Sequence, residues 1–152
     1  MEDKIKIVKD LSEELLRLLE TQAKVEVTSN DEGAMNVNID SKEETGLLIG
    51  RRGETLTSFQ TILSLMVRQK VGEWVRVVVN VGDYREKEEE NLQRLAQETA
   101  ERAKQTGEPQ TLYNLNPSQR RLIHITLSND PEIETESQGE GNERYLVVRS
   151  KK

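Results

Sequence analysis

The chain has 152 residues, of which 33% are charged and 34% hydrophobic, with a net charge of −6 and no cysteine. No apolar run is long enough for a transmembrane helix, and the charged start from Met1 to Lys4 is unlike a signal peptide. The lack of cysteine excludes a disulfide framework and a thiolate zinc site. We therefore expect a protein of the reducing cytoplasm that has no transmembrane segment.

The first part of the chain predicts a helix followed by a β-hairpin. Apolar residues at steps of three and four predict a helix from Asp3 to Thr21. Alternating polar and apolar residues predict strands over 24–29 and 34–40. The turn formers at 30–33 lie between these strands, so we expect the two strands to pair as a hairpin.

Two further helices and a strand follow. Ser41 and Glu44 predict a capping box at the start of a short helix that ends near Ile49. A longer helix is predicted from about residue 54 to 69, and strand periodicity returns over 74–81. The apolar face of the longer helix is predicted to consist of Leu56, Phe59, Ile62, Leu63, Met66 and Val67. The α-β-β-α-α-β order predicts a three-stranded sheet with helices on one face.

The two middle helices are joined by Gly50, Arg51, Arg52 and Gly53. Glycine permits a positive φ and has no Cβ, so a phosphate backbone could approach the main-chain N–H groups while the arginines neutralise its charge. A Gly-x-x-Gly sequence alone is weak evidence, because chance matches are expected in a chain with 9 glycines. The alternative is an ordinary helix–helix turn with solvated arginines.

The second part of the chain begins after a junction at Gly82 and Asp83. A long polar helix is predicted from about residue 84 to 105, ended by Gly107 and Pro109. We interpret the acidic residues of its first turns as a solvated face. A short strand is predicted over 111–113.

A last helix and a closing hairpin complete the pattern. Asn116 followed by a proline is a strong helix start. In the helix that it opens, Arg120 and His124 are four residues apart and share a face. A single histidine on a helix is commonly only packed or capped, so the spacing alone leaves that alternative open. Residues 133–137 and 145–149 are predicted to pair as a hairpin.

The α-β-β-α-α-β order, with the Gly50–Gly53 turn directly after Ile49, resembles a KH domain of the prokaryotic type. The resemblance implies that the turn grips the backbone of single-stranded RNA. It also makes Ile49, Leu47, Val37 and Ile39 candidates for an apolar groove for the bases. Packing in the core explains these apolar residues equally well.

The spacing Arg120-x-x-x-His124 after an Asn-Pro helix start resembles the R-3-H domain, a small module that binds single-stranded nucleic acid. This resemblance implies that Arg120 and His124 contact phosphate or base and that Arg121 adds positive charge. We therefore predict an α+β protein with a KH domain over residues 1–81 and a small α/β R-3-H domain over residues 82–152.

A KH domain followed directly by an R-3-H domain resembles the bacterial Jag family, also described as KhpB RNA-binding proteins. The residues matched are the two C-terminal modules of that family; the N-terminal Jag domain and charged linker that members usually carry match no part of the sequence. The resemblance implies a cytoplasmic RNA chaperone or post-transcriptional regulator linked to cell-wall growth and cell length. It also implies a small KH-only partner or a homodimer, and an indirect association with the SpoIIIJ/YidC membrane insertase.

Two motifs for one class of ligand predict a non-enzymatic protein that binds single-stranded RNA, or single-stranded DNA. The alternative is a protein-interaction scaffold that uses the KH fold to dimerise and the acidic helix as a docking face, an interpretation that the negative net charge favours. With one histidine, no cysteine and no Walker-type loop, we expect no enzyme, no cofactor and no metal site.

Overall fold

The computed structural model describes residues 1–151, and its elements follow the predicted order in both parts of the chain. The chain separates into two compact units, Met1–Arg85 and the residues from Glu86 onward. Among residues 1–151, no helix is both long and apolar enough to cross a membrane. Each unit is described by itself.

The first unit is a three-stranded sheet with its helices. The elements are α1 (Glu2–Leu18), β1 (Lys24–Ser29), β2 (Met35–Asp40), α2 (Thr45–Ile49), a 3-10 turn (Arg51–Gly53), α3 (Glu54–Val71) and β3 (Val77–Val81). The strand order is β1-β2-β3, with β1 antiparallel and β3 parallel to β2. The α-β-β-α-α-β order predicted from the sequence is thus confirmed.

One face of this sheet is buried beneath the helices. Alternate residues of β2 and β3 point into the core, which Met35, Val37, Ile39, Val77, Val79 and Val81 form together with helical side chains. From α3 these side chains are Leu56, Phe59, Leu63 and Val67. The predicted apolar face of α3 is too wide, because Ile62 is 49% exposed. A helix that packs on one sheet face buries a narrow stripe, and Ile62 lies beside it.

The capping box predicted at Ser41 and Glu44 is only half formed. The Ser41 hydroxyl accepts a hydrogen bond from the Glu44 amide at 3.0 Å, but α2 begins at Thr45 with Glu44 as its N-cap. The Glu44 carboxylate accepts instead from the amide of Gln22, also at 3.0 Å. Glu44 therefore ties the start of α2 to the segment between α1 and β1.

The second unit is an antiparallel sheet with two helices. The elements are α4 (Tyr84–Thr106), β4 (Gln110–Leu112), α5 (Pro117–Leu127), β5 (Ile133–Gln138), a 3-10 turn (Gly141–Glu143) and β6 (Tyr145–Ser150). The strand order is β4-β6-β5. Its core contains Leu92, Ala96, Ala100, Ala103, Ile123, Leu127, Ile133, Leu146 and Val148. Both units mix helices with sheets, so the predicted α+β class is confirmed.

The first residues of α4 belong to the first unit. Tyr84 packs against the core of that unit. Arg85 donates from Nε to the carbonyl of Val79 at 2.7 Å and from Nη2 to Oε1 of Gln60 at 2.9 Å. The first unit therefore extends past Val81, and the domain division at residues 81 and 82 stays a prediction.

The start of α5 is held by the predicted residues. The Asn116 side chain accepts from the Gln119 amide at 2.9 Å, and the Gln119 side chain accepts from the Asn116 amide at the same distance. Gln119 also donates from Nε2 to Glu88 of α4 at 2.9 Å. The helix that carries Arg120 and His124 is thus fixed at its first turn.

Candidate nucleic-acid interface

The turn between α2 and α3 contains three residues with positive φ, Gly50, Arg52 and Gly53. Gly50 ends α2 with φ 71°, and its amide donates to the Gly46 carbonyl at 2.9 Å. Arg52 lies in the left-handed region at φ 56° and ψ 26°. Gly53, at φ 75°, precedes the first residue of α3. The sequence places glycine at two of the three positions with positive φ, where other residues are strained.

At both glycines, an added Cβ would point toward other residues of the protein. A Cβ at Gly50 would lie 2.1 Å from Thr55 Oγ1 and 2.9 Å from the Thr55 amide nitrogen. A Cβ at Gly53 would lie 2.7 Å from the hydroxyl of Tyr84. An added Cβ at either glycine would therefore meet α3 or Tyr84, and the approach of a phosphate backbone to this turn stays a prediction.

Arg51 and Arg52 are the exposed residues of this turn. No hydrogen bond or ion pair within residues 1–151 holds either guanidinium group. Two unpaired positive charges therefore project from one short turn, next to the N-terminus of α3. An anion at this position would meet both arginines and the positive end of the helix dipole.

The groove candidates divide into two groups. Val37 and Ile39 are 0% and 2% exposed and belong to the core, so the groove interpretation is wrong for them. Ile49 is half-buried and packs against the same core. Leu47, by contrast, is 65% exposed on α2. Leu47 is therefore the apolar side chain beside the turn that a ligand could reach.

The second unit carries an open depression between α5 and β5. Its volume is about 630 Å³, and its lining residues are Pro117, Arg120, Arg121, His124, Thr135, Glu136, Ser137 and Arg144. The structure thus brings together the three residues that the sequence singled out on α5. The depression is basic, because Glu136, its one acidic lining residue, accepts a hydrogen bond from Nη2 of Arg149.

Arg120 and His124 already have partners in the protein. Arg120 is 9% exposed and donates from Nη1 to the Leu115 carbonyl at 2.6 Å. The exposed His124 ring contacts the Thr135 hydroxyl through Nδ1. These contacts hold both side chains in place, so each has a structural role in addition to any role in binding.

Arg121 and Arg144 differ from this pair. Both side chains are exposed, and within residues 1–151 neither takes part in a hydrogen bond or an ion pair. They lie at the same depression although they are 23 positions apart in the sequence. The groups that are open to an anion here are consequently Arg121 and Arg144, with Arg120 behind them.

Comparison with known proteins assigns a family to this architecture. Residues 8–81 match the KH domain model of KhpA and KhpB, and residues 90–150 match the R-3-H domain model. The RNA-binding protein KhpB of Clostridium symbiosum is 38% identical over 121 residues, which cover 80% of this chain and 54% of the relative. The RNA-binding protein KhpB of Bacillus subtilis is 37% identical over 112 residues, covering 72% of this chain and 54% of the relative.

The chain belongs to the Jag (KhpB) family. The RNA-binding protein KhpB of Lactiplantibacillus plantarum is 34% identical over 116 residues, which cover 76% of this chain and 36% of the relative. The chain thus spans about half the length of the first two relatives and less of the third. The two matched models correspond to the two basic surfaces, since one contains the Gly50–Gly53 turn and the other contains Arg120 and His124.

Sequence reasoning missed the part of the basic depression that lies outside α5. Thr135 and Ser137 follow Ile133 at steps of two on β5, and this alternation in the predicted hairpin was a signal that they point toward the helices. Arg144 had no such signal, because it lies in the loop before β6 and reaches the depression only through the hairpin.

No cluster of histidine, aspartate and glutamate side chains in the described range 1–151 has the arrangement of a metal site. The two basic surfaces offer donors and positive charge instead. Such groups recognise phosphate and carboxylate oxygens.

Proposed function

We propose that this KhpB-family chain binds single-stranded RNA through two basic surfaces, the Gly50–Gly53 turn and the depression lined by Arg120, Arg121, His124 and Arg144. The observation that carries the proposal is the pair of free arginines at each surface. The names of the relatives, which are RNA-binding proteins, support it.

At the turn, the phosphate backbone lies against Arg51 and Arg52 at the N-terminus of α3. Binding releases counterions, so the affinity falls as salt rises. Leu47, and to a smaller extent the half-buried Ile49, provide apolar contact for a base. The inward packing of Gly50 and Gly53 keeps the two arginines in one fixed backbone conformation.

At the depression, Arg121 and Arg144 neutralise phosphates at its rim. Arg120 is oriented by its hydrogen bond to Leu115. The contact between His124 Nδ1 and Thr135 leaves Nε2 as the ring nitrogen that can face a ligand. A neutral imidazole serves here, because either nitrogen can donate or accept a hydrogen bond.

The cellular role that we propose follows from the family. It is that of a non-enzymatic RNA chaperone or post-transcriptional regulator that affects cell-wall growth and cell length. Single-stranded DNA is a second ligand of the same chemistry. A small KH-only protein or a second copy of the chain, and indirectly the YidC/SpoIIIJ insertase, are the proposed partners.

The proposal is tested by fluorescence-anisotropy titration of a labelled single-stranded RNA pool at several salt concentrations. The variant Arg51→Asp with Arg52→Asp removes both charges of the turn, and aspartate tolerates the left-handed backbone at position 52 better than most residues do. If the two arginines contact one phosphate each, the slope of log K against log salt should become less negative by about 1.4.

A matched control makes the same change of charge elsewhere. Lys6 and Arg17 are exposed on α1, away from the turn in sequence. Lys6→Glu with Arg17→Glu should leave the slope near that of the unmodified protein. An equal loss of RNA affinity in the two double variants would mean that binding depends on the net charge of the protein and not on the turn. No binding by the unmodified protein, even at low salt, would refute the proposed function.

A protein-interaction scaffold is the second candidate. The observation that favours it is the exposure of Ile62 and Leu65, which are 49% and 52% exposed and lie one turn apart on α3. Exposed apolar residues mark an interaction surface when they form a contiguous patch, and these two are neighbours on the helix. Light scattering of the protein and of Ile62→Lys with Leu65→Lys tests it: dimers that the double change converts to monomers would support the scaffold.

A further inference from the structure

The sheet of the first unit has two edge strands, β1 and β3, and the two edges differ. At β3, the Val79 amide donates to Oε1 of Gln60 at 2.9 Å, and Nε of Arg85 donates to the Val79 carbonyl at 2.7 Å. Nη2 of Arg85 also donates to the same oxygen of Gln60 at 2.9 Å. Side chains therefore satisfy the outward backbone groups of Val79 and close this edge to another strand.

The edge of β1 is open. The Asn30 amide donates to the Ala34 carbonyl at 3.0 Å, so the backbone groups of this pair point toward each other. Because this direction alternates along an antiparallel strand, the N–H and C=O groups of Val25, Val27 and Ser29 point away from β2. Within residues 1–151, no other strand and no side chain bonds to these groups. An unpaired edge of this kind is a template for a further strand.

The side chains of β1 divide between the two faces of the sheet. Val25 and Val27 are half-buried and pack against the core of the first unit. Lys24 and Glu26 are exposed on the opposite face and carry opposite charges. Lys24 lies across from Asp40 of β2, but within residues 1–151 neither Lys24 nor Glu26 takes part in an ion pair. Both charges are therefore available to a strand that pairs with the open edge.

The two charges distinguish the registers in which two copies of β1 could pair around a two-fold axis. With the axis at Val25, Lys24 of each copy lies directly opposite Glu26 of the other, and the outward backbone groups of the two Val25 residues bond each other. An axis at Lys24 or at Glu26 would place two like charges opposite each other. With the axis at Val27, neither charge lies opposite a charge. The register centred on Val25 is therefore the one that charge complementarity favours.

We propose that two copies of the chain associate through their β1 edges as antiparallel strands, in the register that places Lys24 opposite Glu26. The two three-stranded sheets then join into one continuous sheet. The two-fold axis is perpendicular to this sheet, so the helix-covered faces of both copies lie on the same side. The pairing requires no RNA and goes beyond the proposed function, because it assigns a surface to the second copy of the chain.

Sedimentation equilibrium of the protein without RNA, at low salt and over a range of concentrations, tests the pairing. We expect the unmodified chain to dimerise reversibly. Lys24→Glu and Glu26→Lys should each weaken the dimer about tenfold or more, because both symmetric pairs change from attraction to repulsion. A 1:1 mixture of these two variants should recover dimers, since one variant then presents two negative charges to the two positive charges of the other.

Lys70→Glu is the matched control, because it makes the same change of net charge at an exposed position of α3. It should leave the dimer unchanged, and circular dichroism should show that all three variants are folded. A monomer at every concentration, or equal weakening by Lys24→Glu and Lys70→Glu, would overturn the proposal. So would a mixture that stays as monomeric as its components, or a dimer that Ile62→Lys with Leu65→Lys abolishes and Lys24→Glu does not.

Discussion

The two basic surfaces differ in which of their motif residues are held by contacts within the protein. At the Gly50–Gly53 turn, the motif glycines are packed against the protein and the arginines between them have no partner among residues 1–151. At the depression, the motif residues Arg120 and His124 themselves contact Leu115 and Thr135. The residues of a motif can therefore shape a site, bind at it, or do both. The comparison predicts which substitutions alter folding and which alter binding alone.

The largest effect is expected for Gly50→Ala. The new Cβ would lie 2.9 Å from the Thr55 backbone nitrogen at a residue with φ 71°, and backbone cannot move aside as a flexible side chain can. We expect a loss of about 2 kcal/mol or more in the free energy of unfolding of the first unit, and weaker RNA binding. Chemical denaturation followed by circular dichroism measures the first effect.

Gly46→Ala is the matched control for this substitution. Gly46 lies in α2 without a positive φ, and a Cβ there would meet no atom within 4 Å. Alanine should stabilise the helix by up to about 1 kcal/mol. Equal destabilisation by the two substitutions would contradict the distinction between the turn glycines and an ordinary glycine.

A second prediction contrasts two adjacent arginines. Arg120→Ala leaves the Leu115 carbonyl without its donor and removes a side chain that is only 9% exposed, so we expect a loss of about 1–3 kcal/mol in the stability of the second unit. Arg121→Ala should change stability by less than about 0.5 kcal/mol and weaken RNA binding. Thermal melts measure the stability of the two variants, and anisotropy titrations measure their RNA binding. An equal loss of stability in Arg120→Ala and Arg121→Ala would show that Arg121 also has a structural role.

A third prediction concerns the other turn glycine. In Gly53→Ala the new Cβ meets the Tyr84 hydroxyl at 2.7 Å, whereas the nearest ring atoms are 3.3 Å away. Tyr84→Phe removes the closest atom, so it should recover part of the stability that Gly53→Ala loses, about 1 kcal/mol in a double-mutant cycle. The positive φ at Gly53 keeps the recovery incomplete. Purely additive effects in the cycle would show that the hydroxyl is not what opposes a Cβ there.

The smallest effect concerns an ion pair whose residues belong to neither basic surface. The Lys104 ammonium donates to Asp130 at 2.7 Å and, with the Glu132 amide, lowers the pKa of Asp130 below its ordinary value of 3.8. A lowered carboxyl pKa means stability that is present above the unfolded-state value and is lost as the pH falls through the folded-state value. Asp130→Asn should therefore reduce the acid-induced loss of stability below about pH 4, with no effect on RNA binding.

Local patterns were enough to predict most of the fold. The start of α5 was predictable because Asn116 and Gln119 satisfy each other's backbone over three residues. The burial of Val77, Val79 and Val81 followed from strict alternation. In contrast, periodicity gives the direction of a helix face and not its width, so Ile62 was wrongly assigned to the core.

The candidate sites were less predictable, because they depend on contacts between distant parts of the sequence. The Glu44 carboxylate accepts from the amide of Gln22 and not from the amide of Ser41, because the tertiary fold brings the segment after α1 to the start of α2. Thr135 and Arg144 reach the depression through the closing hairpin. The sequence indicated the two arginines of α5, but only the structure shows that Arg120 bonds the Leu115 carbonyl while the Arg121 side chain has no partner within residues 1–151.

The most direct test of the two-surface account is an NMR titration of the ¹⁵N-labelled protein with single-stranded RNA. We expect amide shifts at 50–55 in the first unit, and at 119–124, 135–137 and 144 in the second, that grow with RNA concentration and weaken with salt. Shifts confined to one of these surfaces would remove the other from the account. Shifts centred on Ile62 and Leu65, with none at either basic surface, would contradict it.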